Sequence, residues 1–149
     1  MYRRFNQCFP SAGWRKVTER NSLNNVRTRP AVTLAYVGDA VYEVYVRVRL
    51  ASEQNLSVDR LHRAGVRYVC AAAQAKAMRA LLPALSEEDK ALVRRARNHR
   101  PHTVPKNADP VEYRWATAFE ALIGALYLSG QEAEAEELIA KAMQIIDEE

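Results

Sequence analysis

The stretch LAYVGDAVYEVYVRV, Leu34 to Val48, decides how the chain is read. VYEVYVRV alone would pass for a strand, but the length of the segment and its exit into LASEQ favour a helix. In a helix, Asp39, Glu43 and Arg47 fall four residues apart and form one narrow polar stripe. Leu34, Val37, Val41, Val44, Tyr45 and Val48 cover most of the remainder, so the helix is expected to be packed on several sides, with more apolar surface than one small domain readily covers and an excess that a two-fold partner could bury. An ionised carboxylate inside such packing is costly unless it is paired or binds a metal. An ion pair with Arg47 accounts for Glu43 better than anything nearby accounts for Asp39.

The segment PVEYRWATAFEALIGALYLSG, Pro110 to Gly130, repeats the device. Glu120 stands between Phe119 and Ala121, Leu122, Ile123, and Tyr113, Thr117, Gly124 and Tyr127 share its helical face. A mid-helix glycine costs roughly 1 kcal/mol relative to alanine. Gly124 and Gly38 therefore call for a reason, and close approach of another backbone is the usual one. The two helices are expected to cross near Gly38 and Gly124 and to bring Asp39 and Glu120 together. Two carboxylates at one site repel unless a proton or a cation lies between them. Carboxylates and water are hard oxygen ligands that suit Mg²⁺.

The rest of the chain reads as all-α, with no strand pattern and no internal repeat. A helix is expected over 31–51, after Pro30. Ser57 is placed to cap a second helix running to about Leu82, before Pro83. Ser86 and Asp89 form a capping-box pattern for a helix over 87–97. NHRPHTVPKNADP, with Pro101, Pro105 and Pro110 and no periodicity, is a loop. Asp109 caps the helix that carries Glu120, with Pro110 in its first turn and Gly130 closing it. The last helix, 131–146, turns Leu138, Ala142 and Ile145 or Ile146 inward and its glutamates to water.

With 149 residues, 48% of them apolar, the chain suits one packed domain. The expected division is a basic N-terminal arm at 1–30, disordered or an over-long start, and a catalytic domain at 31–149. The arm is Arg-rich and acid-poor, as organellar presequences are, but lacks the apolar segment of a secretory signal. No apolar run approaches a membrane span. Cys8 and Cys70 lie too far apart for a zinc-ligand spacing, and two unpaired thiols fit a reduced, cytoplasmic compartment. The net charge is +4. Eleven Lys/Arg between residues 60 and 106 face only Glu87, Glu88 and Asp89, while the segment from Gln131 is acidic. That distribution suits a polyanion approached from one side.

YVGDAVYE (Tyr36–Glu43) resembles the signature helix of the ribonuclease III family, and ATAFEALIGALYL (Ala116–Leu128) resembles its second catalytic helix. Their order, and a separation of roughly 80 residues, match as well. RRARN, TVPKNAD and YRWATAFEALIG resemble the Mini-III branch, which consists of the nuclease domain without a double-stranded-RNA-binding domain. The resemblance covers about residues 31–146. It implies an all-α, Mg²⁺-dependent homodimeric endonuclease that cleaves double-stranded RNA and leaves a 5′-phosphate, a 3′-hydroxyl and a short 3′ overhang. The implied substrate is the terminal stem of a 23S ribosomal RNA precursor, with a ribosomal protein as a candidate partner. Asp39 and Glu120 are then the catalytic and metal-binding residues, with Glu43 and Thr117 as secondary candidates. Val32, Ala35 and Thr117 stand where the fuller family pattern has acids, so one held ion per site is easier to defend than two.

Arg94, Arg95, Arg97, Asn98, Arg100, Lys106 and Asn107 are the expected RNA contacts. A basic cluster with few aromatics fits a duplex better than a stacked single strand. Arg60, His62, Arg63 and Arg67 would extend that surface. His99 and His102 are read as loop residues more readily than as phosphate contacts. The competing readings are a catalytically silent duplex-RNA-binding or ribosome-associated protein on the same fold, and a helical DNA-binding module. Neither gives a reason for two inward carboxylates.

Overall fold

The computed structural model describes residues 25–53, 55–100 and 103–148, so residues 1–24 of the expected arm, and His102, lie outside the described residues. Among the described residues every regular element is helical. We number the α-helices α1 (Ala31–Glu53), α2 (Val58–Val69), α3 (Ala71–Leu81), α4 (Glu87–Asn98), α5 (Pro110–Leu128) and α6 (Glu132–Asp147). The apolar α5 is the hub. It is buried at nearly every position from Ala116 to Leu126 and packs against α1, α3, α4 and α6.

Local sequence sets the ends of these helices. The Asp109 carboxylate accepts from the backbone N–H groups of Val111 and Glu112. Gly130, at φ 76°, turns the chain out of α5 in the left-handed region that favours glycine. Ser86 Oγ accepts from Asp89 N–H, and its hydroxyl donates to the Asp89 carboxylate.

Two expectations on element boundaries are corrected. The single helix expected from Ser57 to Leu82 is two helices, broken at Cys70, whose backbone is extended (φ −66°, ψ 149°). The break lets α2 lie on α1 while α3 turns to pack on α5 and α6. The Tyr68 carbonyl, released at the break, accepts from the Tyr42 hydroxyl at 3.2 Å. Packing also begins before Pro30: Val26 is buried in a short 3-10 turn, Val26–Thr28. Arg27 in that turn pairs with Asp89 at 2.6 Å and with Glu88 at 3.1 Å.

The crossing of α1 and α5 is backbone on backbone. A Cβ added to Gly38 would lie 1.7 Å from the Glu120 carbonyl oxygen, and one on Gly124 would lie 1.9 Å from the Leu34 carbonyl oxygen. Neither obstacle is a side chain that could rotate away. Next to the crossing, Tyr42 and Phe119, both fully buried, meet edge to face at 5.0 Å. Gly124→Ala and Gly38→Ala should each lower stability by about 2–4 kcal/mol in urea denaturation, because the helices must part. Gly65→Ala is the contrast. There a Cβ meets only Leu50 Cδ1, at 3.8 Å, and the better helix former should stabilise α2 by up to about 1 kcal/mol.

Candidate active site

The α1–α5 crossing opens on one side into a cleft of about 200 Å³. Asp39 comes to its wall from α1, one residue beyond Gly38. Glu120 and Thr117 come from α5, one and two turns before Gly124. The glycines therefore bring the two expected carboxylates to one site. Tyr36, His99, Tyr113 and Arg114 line the same cleft. Asp39 is exposed on this wall, which corrects the expectation that it lies inside the packing; α1 itself packs on α5, α2 and α4. Val44 and Val48 of α1 are also exposed.

The pair is electrostatically poised. Burial pushes the Glu120 carboxyl up from its usual 4.5 to about 7; the negative charge of Asp39 adds to this, and the Gln74 amide opposes it. The Asp39 carboxyl is also raised, first by lost hydration in the cleft and then by Glu43. Burial first, and the neighbouring Asp39 charge second, favour the protonated form of Glu120. Among the described residues neither carboxylate has a lysine or arginine ion-pair partner.

Glu43 is paired with Arg47 at 2.9 Å, one helical turn on. The Thr117 hydroxyl donates to the Tyr113 carbonyl at 2.9 Å, so this residue shapes the wall beside Glu120. No group of three or more His, Cys, Asp or Glu is assembled among the described residues. Two carboxyl groups without a cationic side-chain partner nevertheless fit a hard divalent cation, which commonly keeps several waters and takes one or two protein carboxylates.

The basic residues divide into two sets. Asn98, Arg100, Lys106 and Asn107 are exposed at the end of α4 and in the following loop, and Arg94 is exposed on α4. Arg97 is half-buried over the Trp115 ring at 4.9 Å, with Arg79 over the same ring at 5.5 Å. Arg95 is exposed too, but its guanidinium is engaged, donating to the carbonyls of Arg27 and Arg29. The sequence reading missed Tyr36, Arg114 and Gln74. The i, i+3 spacing of Arg114 and Thr117 was a usable signal, since it puts both on the Glu120 side of α5. His99 stands at the cleft although the sequence read it first as an ordinary loop residue.

The comparisons with known proteins agree with this geometry. The ribonuclease III domain family matches residues 32–131. A Mini-ribonuclease 3 of Symbiobacterium thermophilum is 48% identical over 125 residues, covering 84% of this chain and 96% of its own. A Mini-ribonuclease 3 of a Thermoanaerobacter species is 39% identical over 136 residues, covering 91% and 96%. The crystal structure of a Fusobacterium nucleatum protein superposes with a TM-score of 0.73 at 30% identity, over 80% of this chain and 96% of that one. The chain belongs to the ribonuclease III family, in its Mini-ribonuclease III branch. The activity that goes with this membership is that of a ribonuclease III-type endoribonuclease, in a family that acts on double-stranded RNA and is in general divalent-metal dependent. No helix of the described residues is long and apolar enough to cross a membrane.

The proton on Glu120 has a consequence for folding. Its folded pKa of about 7 lies above the ordinary 4.5, so between these values the folded state binds more protons than the unfolded state. Stability should then fall as pH rises from 4.5 through 7, by up to about 3 kcal/mol from this group, and level off above. Urea denaturation in EDTA from pH 4.5 to 8 should show the decline in the wild type and a smaller one in Glu120→Gln, with the variant the more stable at pH 8.

Proposed function

We propose that the chain cleaves the terminal stem of a 23S ribosomal RNA precursor in the cytoplasm, as a Mg²⁺-dependent homodimer. The observation that carries the reading is the Asp39–Glu120 pair: two carboxylates at one cleft, both with raised pKa and neither with a cationic side-chain partner. A packed domain gains nothing from such a pair unless a ligand neutralises it.

Asp39 and Glu120 would hold the divalent cation at the cleft. When bound, Mg²⁺ polarises the scissile phosphodiester and lowers the pKa of a coordinated water. The protein's own residues supply position and charge. Arg114 and His99 line the cleft beside the carboxylates and place donors near the phosphate. Thr117, fixed to the Tyr113 carbonyl, keeps the wall beside Glu120 in shape.

The duplex lies along the end of α4 and the loop that follows it. Ala96 and His99 line the cleft, so Arg97 and Asn98, which lie between them in the chain, lead from the site to Arg100, Lys106 and Asn107. Arg94 extends this surface, whereas Arg95 serves to hold the 3-10 turn. Contacts of this kind read A-form shape and backbone rather than sequence. A ribosomal protein remains a candidate partner for directing the enzyme to its stem.

The homodimer follows from an uncovered stripe. Val32, Tyr36, Ala40, Val44 and Val48 recur every four residues on α1, and all five are exposed. Beside them α1 and α2 enclose a groove of about 300 Å³ lined by Val46, Leu50, Val58, Leu61 and Val66. A two-fold partner would bury this apolar surface against its own copy.

Two measurements test these assignments. Asp39→Asn and Glu120→Gln should each reduce cleavage of a duplex RNA in Mg²⁺ by at least about 1,000-fold, as EDTA should, with duplex binding retained and the double variant little worse than either single one. Multiplicative losses would break the shared-site assignment. Val44→Asp with Val48→Asp should give a folded monomer by sedimentation at micromolar concentration. A dimer that survives both changes would remove the α1 stripe as the interface.

A further inference from the structure

Helix α3 carries the sequence AAAQAKAMRAL, and Ala75, Ala77, Met78 and Leu81 form its buried apolar positions. Gln74 shares their burial. Only 1% exposed, it is the sole buried polar side chain among the described residues. Its Nε2 has no hydrogen-bond partner. Burying an amide donor without a partner destabilises the fold. Leucine or methionine here would avoid that cost and favour the helix at least as well.

The direction of the amide gives its reason. Helix α3 packs on α5, and the buried Gln74 amide lies beside the Glu120 carboxyl, its Nε2 not closed to a full hydrogen bond. An amide NH2 group can only donate, and an ionised carboxylate only accepts. A donor held this close to a carboxyl is matched to the charged form of Glu120, where the contact becomes charge-assisted.

We propose that Gln74 is a positioning residue for the active site: its Nε2–H holds the Glu120 carboxylate from the core side and fixes its orientation toward Asp39. The amide is buried in α3, so its direction is set by packing, and the carboxylate it holds acquires that rigidity. Partners of this kind behind a metal ligand commonly contribute tenfold to a hundredfold in metal affinity. The assignment rests on the proposed cation site between Asp39 and Glu120, and its test is arranged to separate the two.

The test compares wild type, Gln74→Leu, Gln74→Met and Asp39→Asn as full chains. Thermal melting reports folding. Mn²⁺ binding to the protein alone, followed by the paramagnetic signal of the free ion, reports the cation. The Mg²⁺ concentration giving half-maximal cleavage of a duplex RNA reports the reaction. Gln74→Leu should melt no lower than wild type, yet bind Mn²⁺ about tenfold more weakly and need about tenfold more Mg²⁺, with cleavage recovering at high Mg²⁺. Gln74→Met, which nearly matches glutamine in shape, should give the same two shifts and stands in if the leucine variant does not fold. A folded Gln74 variant with wild-type Mn²⁺ affinity and wild-type Mg²⁺ requirement would overturn the role of Gln74. If Asp39→Asn loses Mn²⁺ binding in the same experiment, the cation site stands and only the positioning role falls. If Asp39→Asn binds Mn²⁺ as tightly as wild type, both fall.

Discussion

The constraint on which the structure depends is the absence of a side chain at two places. At Gly38 the carbonyl of Glu120 occupies the space of a Cβ, and at Gly124 the carbonyl of Leu34 does. A step forward along α1, from Leu34 to Gly38, goes with a step back along α5, from Gly124 to Glu120. The helices therefore cross in opposite senses, with their register fixed at both points. The residue whose carbonyl meets Gly38 is Glu120 itself, and the residue after Gly38 is Asp39. One packing contact thus determines which two carboxylates meet.

Packing and electrostatics pull against each other at this junction. Close approach of α1 and α5 excludes water, which strengthens the core around Tyr42 and Phe119 and raises the cost of charge on Glu120. The protein alone meets that cost by leaving a proton on Glu120. A bound cation would meet it by neutralisation, so ligand binding and proton release become linked. The fold tolerates this because the rest of the molecule is tied down independently. At the far end of α1, Arg49 pairs with Asp147 at 2.6 Å, and the Tyr68 hydroxyl donates to the same carboxylate at 2.6 Å.

Much of this was legible in the sequence because it depends on local chemistry. A mid-helix glycine is expensive enough to need a reason, so Gly38 and Gly124 announced their crossing. Asp109, Pro110 and Gly130 marked the ends of α5 by capping rules that need no tertiary context. What was not legible depends on partners far along the chain. Nothing in VRYVCAAAQ breaks a helix; Cys70 is extended because α2 and α3 must lie on different neighbours. Arg95 looked like its neighbours Arg94 and Arg97 until the carbonyls of Arg27 and Arg29 were seen to take its guanidinium. Gln74 was hidden by its alanine-rich setting, where one polar residue reads as a surface position until its burial is known. The composition of α1 pointed to more apolar surface than one small domain covers; which side is left to water, that of Val32, Tyr36, Val44 and Val48, needed the structure.

That uncovered side bears directly on the chemistry. Tyr36 belongs to two surfaces at once: its side chain lines the cleft beside Asp39, and at 83% exposure it is also the most prominent member of the α1 stripe. Val32 likewise both lines the cleft and belongs to the stripe. A second copy seated on the stripe would therefore cover groups that form the cleft wall, and would do so three residues from Asp39. The cleft in one chain is open where a partner would close it. In a dimer built on this stripe, interface and active site would be one structural problem: burial of Tyr36 would fix the wall that faces the Asp39 carboxylate, and pairing of two chains would set the distance between two cleavage sites on one duplex.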